Sequence, residues 1–587
     1  MALPSAKLPK KVAQLFQKAN QNHVRGDLES ARSGYLEVLN SYPKYVECIH
    51  LMGVLLCQLK DFSGAIERFN EAIKLSPNPL FYFSRGVAFQ ESGGYDLAET
   101  SYLQALKLRP LYPQANYNLG ILKRREKQHD QALTYFSEAA AQKPDYVDAH
   151  YNKANTLKQL GEFAQSIKIY DLVISLNKNY AQAYLNKGMS FKELGQFQQA
   201  LSCYLQALQV NPSYADAHSN MGIMYTEQKL WPDAFRSFQD ALAIDPNHAQ
   251  ALWNKSLLLL INQEFQAGFA LYPSRWRSEV MISPALCTTK PLYVNHKSPN
   301  PDAPTGSVQT NSLVPALLIW AEQGIGDEIM FGSLLLKAQS LAKQLIVQMD
   351  ARLIPLFKRA MPEITFKPKH EALDESLYDE HMPIGQLAEI FCKSKEDFAN
   401  LNSNYVFSEV RKVEQLKTKI PQNRKKTIGI SWRSKNDQKG LSRSISLHEL
   451  IASLTGHGTD TFEADKYNIV NLQYGALPEE LESVRSFIGT QVLSLNEVDN
   501  FLDMDGLAAL IECCDLVISI DNSTVHLSGA LGKETWVLLP YSCDWRWGLE
   551  TQKSVWYPSL RLFRQTSFGD WTSVLRSVQL ELKNLGD

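Results

Sequence analysis

A chain of 587 residues is long enough for several domains, and its 60 basic and 62 acidic side chains nearly cancel. No charge excess marks nucleic acid or an anionic membrane as the main partner, although a local basic site stays open. The start, "MALPSAKLPKKVAQLFQKAN", lacks a signal-like apolar core, no run nears the roughly 18 apolar residues of a membrane span, and the eight cysteines show no CxxC or zinc spacing, so a cytoplasmic protein with free thiols is expected.

From the N-terminus the chain repeats itself. A small residue recurs at Ala19, Gly53, Gly86, Gly120, Ala154, Gly188, Gly222 and Ser256, with a step of 34 residues except for one of 33. Twelve residues after each comes a second small residue, from Ala31 to Gly268, and sixteen after each an aromatic, from Tyr35 to Tyr272. Pro43, Pro77, Pro110, Pro144, Pro212 and Pro246 close units, with Lys178 the one internal exception. This period and pattern resemble the tetratricopeptide repeat, a helix-turn-helix unit whose stacking yields an all-α solenoid. About eight helix pairs are expected over residues 8–278.

Within this array Asn118, Asn152, Asn186, Asn220 and Asn254 recur two residues before the small position. Asparagine competes with the helical backbone for hydrogen bonds, so its recurrence needs a reason. Two are open: a ladder in the groove that grips the backbone of an extended polypeptide, or amides that serve neighbouring backbone within the array.

The segment at 279–312, "EVMISPALCTTKPLYVNHKSPNPDAPTGSVQTNS", is rich in Pro, Ser, Thr and Asn and reads as a linker. From Leu313 short apolar runs alternate with helical stretches. "VPALLIWA" and "QLIVQMD" read as strands of a first lobe at 313–420. "TIGISWRS", "NIVNLQYG", "LVISIDN" and "TWVLLP" read as strands of a second lobe at 421–587. Alternation of this kind implies parallel sheets with crossover helices, and ligands there bind at strand C-termini.

Two loops at such termini stand out. Asp521, Asn522, Ser523 and Thr524 lie between a buried strand and a helix of small residues, where they form either a diphosphate site or a set of helix caps. In "EQGIGDE", Gly324 and Gly326 let backbone approach a ligand, and Asp327 is either a general base or a cap. The spacing is not GxGxxG, so a dinucleotide site is not indicated.

"AEQGIGDEIMF" together with "DLVISIDNSTVHLSGALGK" resembles the lipopolysaccharide heptosyltransferases and related two-lobed glycosyltransferases. A repeat array joined to such a domain also resembles the architecture of the protein O-GlcNAc transferases. The resemblance implies a GT-B fold, two Rossmann-like lobes with the nucleotide-sugar site in the second. It implies Asp327 as catalytic base and Asp521, Asn522, Ser523 and His526 around the donor. Inverting transfer needs that base and a positive group for the departing diphosphate. Arg433, Lys435 and Arg443 in "SWRSKNDQKGLSRSISL" are candidates, with Gln473 for nucleotide contact and Arg546, set between two tryptophans, for phosphate. No metal or other cofactor is required, and Asp503 and Asp505 read as a cap rather than a metal site. The expected activity is transfer of a sugar to a polypeptide or other large acceptor presented by the repeats. The competing expectation is a repeat scaffold carrying a degenerate transferase domain.

Overall fold

A computed structural model describes residues 9–278, 284–294, 313–401, 403–434, 443–456, 466–476, 478–549 and 551–584. Sixteen α-helices, from Lys10–Val24 to Phe265–Leu271, form the tetratricopeptide solenoid. The sequence pattern explains their pairing. A Cβ on Gly120 would lie 2.6 Å from a ring carbon of Phe136, so the small position exists to admit the aromatic sixteen residues later. The turn between the two helices of each pair has a left-handed residue: Gly26, Lys60, Gly93, Lys127, Gly161, Gly195, Lys229 and Gln263. Asp27 and Asp61 cap the helices that follow their turns, accepting from the backbone of Ser30 and Gly64.

The chain forms two compact units, Met1–Met221 and Gly222–Asp587. The division falls inside the helix Ala215–Glu227 rather than at the end of the repeats. The last helices therefore belong with the α/β region. Phe238, Leu260, Phe269 and Tyr272 share one core with Leu317, Ile329 and Phe331 of the first sheet region. The segment read as a linker is engaged where it is described, with Tyr293 donating its N–H to the His381 carbonyl at 2.8 Å.

Among the described residues the α/β region has two parallel sheets. The first has four strands, β1 (Val314–Trp320), β2 (Ala342–Met349), β3 (Thr365–Pro368) and β4 (Glu380–Pro383), in the order β3-β2-β1-β4. The second has six, β5 (Thr427–Ser431), β6 (Asn468–Asn471), β7 (Val492–Leu493), β8 (Leu516–Ile520), β9 (Thr535–Leu539) and β10 (Leu560–Arg564), in the order β10-β9-β8-β5-β6-β7. Both faces of the second sheet are covered, as the fully buried pattern of β5, β8 and β9 requires. Leu450, Ile451, Val484 and Val578 pack with Ile430 and Ile518 on one side. Leu507, Leu510 and Val525 pack with Val517 and Val537 on the other. Among the described residues no helix is long and apolar enough to cross a membrane.

Candidate functional site

At the C-terminal end of β1 the backbone turns through Gln323 into the helix Ile325–Gly332, for which Gly324 is the N-cap. Asp327 sits in its first turn. At the C-terminal end of β8 Asn522 caps the helix Ser523–Ala530, accepting from the Thr524 N–H at 3.0 Å. After β9 the chain enters the one-turn 3-10 helix Trp545–Trp547, capped by Asp544. These three strand ends converge in one charged cluster.

Arg546 donates to Asp327 and to Asp544. Arg443 pairs with Asp521 at 3.1 Å and reaches Asp544 at 3.6 Å. Two guanidinium groups therefore alternate with three carboxylates along an unbroken chain of contacts. Burial opposes the Arg546 charge, but Asp327 and Asp544 outweigh it and raise its pKa well above the usual value. Burial raises the pKa of Asp521, against which the Arg443 charge works. His526 lies beside them, its pKa pushed down to about 4 by burial and then by the Arg546 charge, so its ring is neutral at physiological pH. Its Nδ1 is 3.0 Å from the Tyr557 hydroxyl, and the ring stacks on Trp547 with centroids 5.4 Å apart.

The two glycines of the first loop differ. A Cβ on Gly326 would stand 2.8 Å from the His526 ring, so this glycine lets the helix after β1 approach His526 rather than a ligand. A Cβ on Gly324 would meet nothing within 4 Å.

A second network adjoins the cluster. Gln473 Oε1 accepts from the Ser431 hydroxyl at 3.0 Å and from the backbone N–H groups of Trp432 and Arg433 at 3.0 and 2.8 Å. Asn522 donates to the same Ser431 hydroxyl at 2.7 Å. Gln473 is thus committed to holding the end of β5, not free for a nucleotide. Arg433 turns toward the Gly475 carbonyl at 2.5 Å and Glu480 at 3.8 Å. Lys435 lies outside the described residues. Ser523 is half-buried at the head of its helix, and the Thr524 hydroxyl is buried with no hydrogen-bond partner among the described residues.

Asp503 caps the helix Met504–Glu512, accepting from Gly506 N–H at 2.8 Å, while Asp505 pairs with Arg359 at 3.0 Å. Asp544 is the functional candidate that reading the chain missed. Its local signal was its place beside the Trp-Arg-Trp run that holds its partner Arg546, while its other partner, Arg443, comes from a different loop.

Four of the five asparagines of the array have partners inside it. Asn152 donates to the Tyr117 hydroxyl of the preceding repeat at 3.2 Å and accepts from Arg124 at 2.5 Å. One unit on, Asn186 donates to Tyr151 at 2.8 Å and accepts from Lys158 at 2.6 Å. Asn118 donates to Tyr102 at 3.2 Å, and Asn220 to the Asp216 carbonyl at 2.8 Å. In the second unit the Asn254 Nδ2 is buried without a partner among the described residues. The amides at Asn152 and Asn186 thus tie successive repeats together, and burial lowers the pKa of Lys158 to about 8.

Family models described as tetratricopeptide repeats match residues 50–113, 85–146 and 123–187, and one described as a TPR repeat matches 188–229. The N-terminal half is accordingly an array of tetratricopeptide repeats, a fold that receives protein partners. Protein FlbA of Caulobacter vibrioides is 27% identical over 285 residues, which are 46% of this chain and 46% of that protein. The peroxisomal targeting signal receptor of Kluyveromyces lactis is 32% identical over 89 residues, 15% of this chain and 16% of that one. The chain thus spans about half the length of the first relative and under a fifth of the second. Among solved structures, YrrB, described as a TPR protein with an unusual peptide-binding site, is 24% identical. It aligns over 33% of this chain and 100% of its own, with a TM-score of 0.30. MamA is 22% identical over 28% of this chain and 96% of its own, with a TM-score of 0.27.

Proposed function

We propose that the chain is a metal-independent, inverting glycosyltransferase of the two-lobed GT-B kind. It moves a sugar from a nucleotide-sugar donor to a polypeptide or other large acceptor presented by the repeats. The observation that carries this reading is the meeting of Asp327, at the head of the helix after β1, with Arg546, after β9 of the second sheet. A base from one sheet region faces a cation from the other, each at strand C-termini where ligands of parallel sheets bind.

The chemistry follows from those roles. An acceptor hydroxyl gives its proton to the Asp327 carboxylate as its oxygen bonds to the anomeric carbon from the face opposite the leaving group. The bond from that carbon to the diphosphate oxygen breaks, and the nucleoside diphosphate departs with the electron pair. Arg546 and Arg443, with the N–H groups at the head of the Ser523–Ala530 helix, meet the charge that develops there. For this Arg546 must exchange Asp327 for the diphosphate.

A second reading is favoured by one feature of the same cluster: both guanidinium groups already have carboxylate partners, as they would in a domain that only supports a protein-binding array. Thermal shift of the full chain with UDP-, GDP-, ADP- and dTDP-linked sugars separates the two, because a ligand bound to the folded state raises its melting temperature. The enzyme reading expects at least one donor to stabilise the chain. It further expects Asp327→Asn to keep that shift while transfer falls by roughly 100- to 10,000-fold. Absence of any shift with all four classes refutes it in favour of the scaffold.

A further inference from the structure

The loop that carries Asp327 is held from the side of the repeats. The last unit ends in the 3-10 turn Tyr272–Arg277, from which Arg275 enters the interior. Its Nε and Nη2 donate to the two oxygens of Glu322 at 2.7 and 2.5 Å, with side-chain exposures of 2% and 0%. The same guanidinium donates to the Tyr272 carbonyl at 2.9 Å and lies over the Tyr272 ring, 4.3 Å from its centre. Glu322 follows β1 by two residues and also accepts from the Gly385 N–H at 3.0 Å. The next residue, Gln323, has a left-handed φ of 61° and donates from Nε2 to the Tyr272 hydroxyl at 3.1 Å. Gly324 then opens the helix of Asp327.

Neither feature is explained by stability. A buried ion pair is worth little more than well-packed apolar residues of the same volume, because desolvation offsets its attraction. A left-handed φ at a residue with a side chain is a local cost that persists only where the surroundings impose it. What both accomplish is to fix the path of three consecutive residues immediately before the candidate base.

We infer that the terminal repeat is a positioning device for the Asp327 loop, with Tyr272 and Arg275 acting through Gln323 and Glu322 to set where the carboxylate meets Arg546. The inference rests on the proposed role of Asp327 as base. Tyr272 occupies the aromatic position that each of the other repeats fills with Tyr or Phe as packing. The hydroxyls of Tyr35, Tyr102 and Tyr170 bond within the array, whereas that of Tyr272 is reached by Gln323 of the loop after β1. The hydrogen bonds of Tyr272 and Arg275 go to Gln323 and Glu322, the residues before the base. Their effect is on the geometry of the attack, where small displacements are costly.

The test uses the full chain and Tyr272→Phe, which deletes one oxygen and leaves the ring packed. Backbone amides at 323–328 should exchange with deuterium roughly three- to tenfold faster, as expected for loss of one hydrogen bond from a local opening equilibrium. The kcat for sugar transfer should fall by at least a similar factor with donor KM unchanged. Gln323→Met should do the same, and the double variant should be no worse than either single one, since both remove one link. Exchange at the wild-type rate, faster exchange with unchanged kcat, or multiplicative losses in the double variant would each overturn the inference. If the unaltered chain turns over none of the donors, the enzyme reading fails by itself. The exchange rates still decide whether the hydroxyl holds the loop.

Discussion

Asp544 shows how one side chain sets the readiness of the charged cluster. It contacts both Arg546 and Arg443, so a diphosphate approaching either guanidinium competes with it. Asp544→Asn keeps the shape and the capping oxygen while removing the competing charge. The expected outcome is nucleoside-diphosphate affinity raised by about three- to tenfold in calorimetry, a value typical of a charge-assisted contact near the surface. A fall in affinity would mean that Asp544 serves to aim the arginines. At the same scale His50, covered by Phe69 and Phe81, has its pKa lowered by burial to about 4 from an ordinary 6.5. The unfolded chain then binds the proton more readily than the folded one between those values. The contribution of His50 is fully present above pH 6.5 and is lost as pH falls toward 4, at most about 3 kcal/mol. Melting temperature followed across that window should decline with acidification, and less steeply in His50→Gln.

At the scale of elements, the asparagine contacts predict a graded response. Asn152 joins two repeats through Tyr117 and Arg124, so Asn152→Ala should cost about 1 to 3 kcal/mol in a thermal or urea melt. The Asn220 amide bonds to the Asp216 carbonyl of its own helix, and Ala is the better helix former, so Asn220→Ala should change stability by under about 0.5 kcal/mol. Equal and small effects at both sites would return the asparagines to the groove. The tyrosine partners of Asn152 and Asn186 were legible in principle, because they lie 35 residues earlier and share the period of the array. The strands divide in the same way. β1, β2, β5, β6, β8 and β9 were readable as apolar runs bounded by turn residues, whereas β3, β4 and β7 are too short or too polar to carry a period of two. β10, "LRLFR", alternates well, but its arginines obscure it. Arg561 is paired with Glu581 at 2.5 Å and Arg564 is turned onto the Trp547 carbonyl at 2.6 Å. Among the residues of the charged cluster, Asp327 and Asp521 were visible because each follows the end of an apolar strand, and Arg546 because it lies between two tryptophans. The pairing of Arg275 with Glu322 spans 47 residues across two architectures and leaves no trace in local pattern.

For the whole molecule, the boundary between compact units decides which fragments fold. A chain of residues 279–587 would lack Phe238, Leu260, Phe269 and Tyr272, which lie in the same core as the first sheet, and would leave Glu322 buried without Arg275. Removing one partner of such a pair typically costs about 3 to 5 kcal/mol, a large share of the stability of an ordinary domain. Residues 213–587, which retain the last repeats, should give a cooperative melt by circular dichroism, and residues 279–587 should not. Two fragments with equal melting temperatures would show that the last repeats are dispensable to the sheets.

The left-handed turns described earlier bear on how such a chain changes over generations. Lys127, Gly161 and Gly195 stand 34 residues apart at equivalent points of consecutive units. An unequal exchange between two gene copies at matching points deletes or adds a whole unit and leaves the phase of each remaining helix intact. Array length is therefore free to drift by single events in the unit ending at Met221. The same event at the terminal unit would substitute another repeat for the one bearing Tyr272 and Arg275 and so break their bonds to Gln323 and Glu322. Array length is therefore expected to vary at one end and to be fixed at the other.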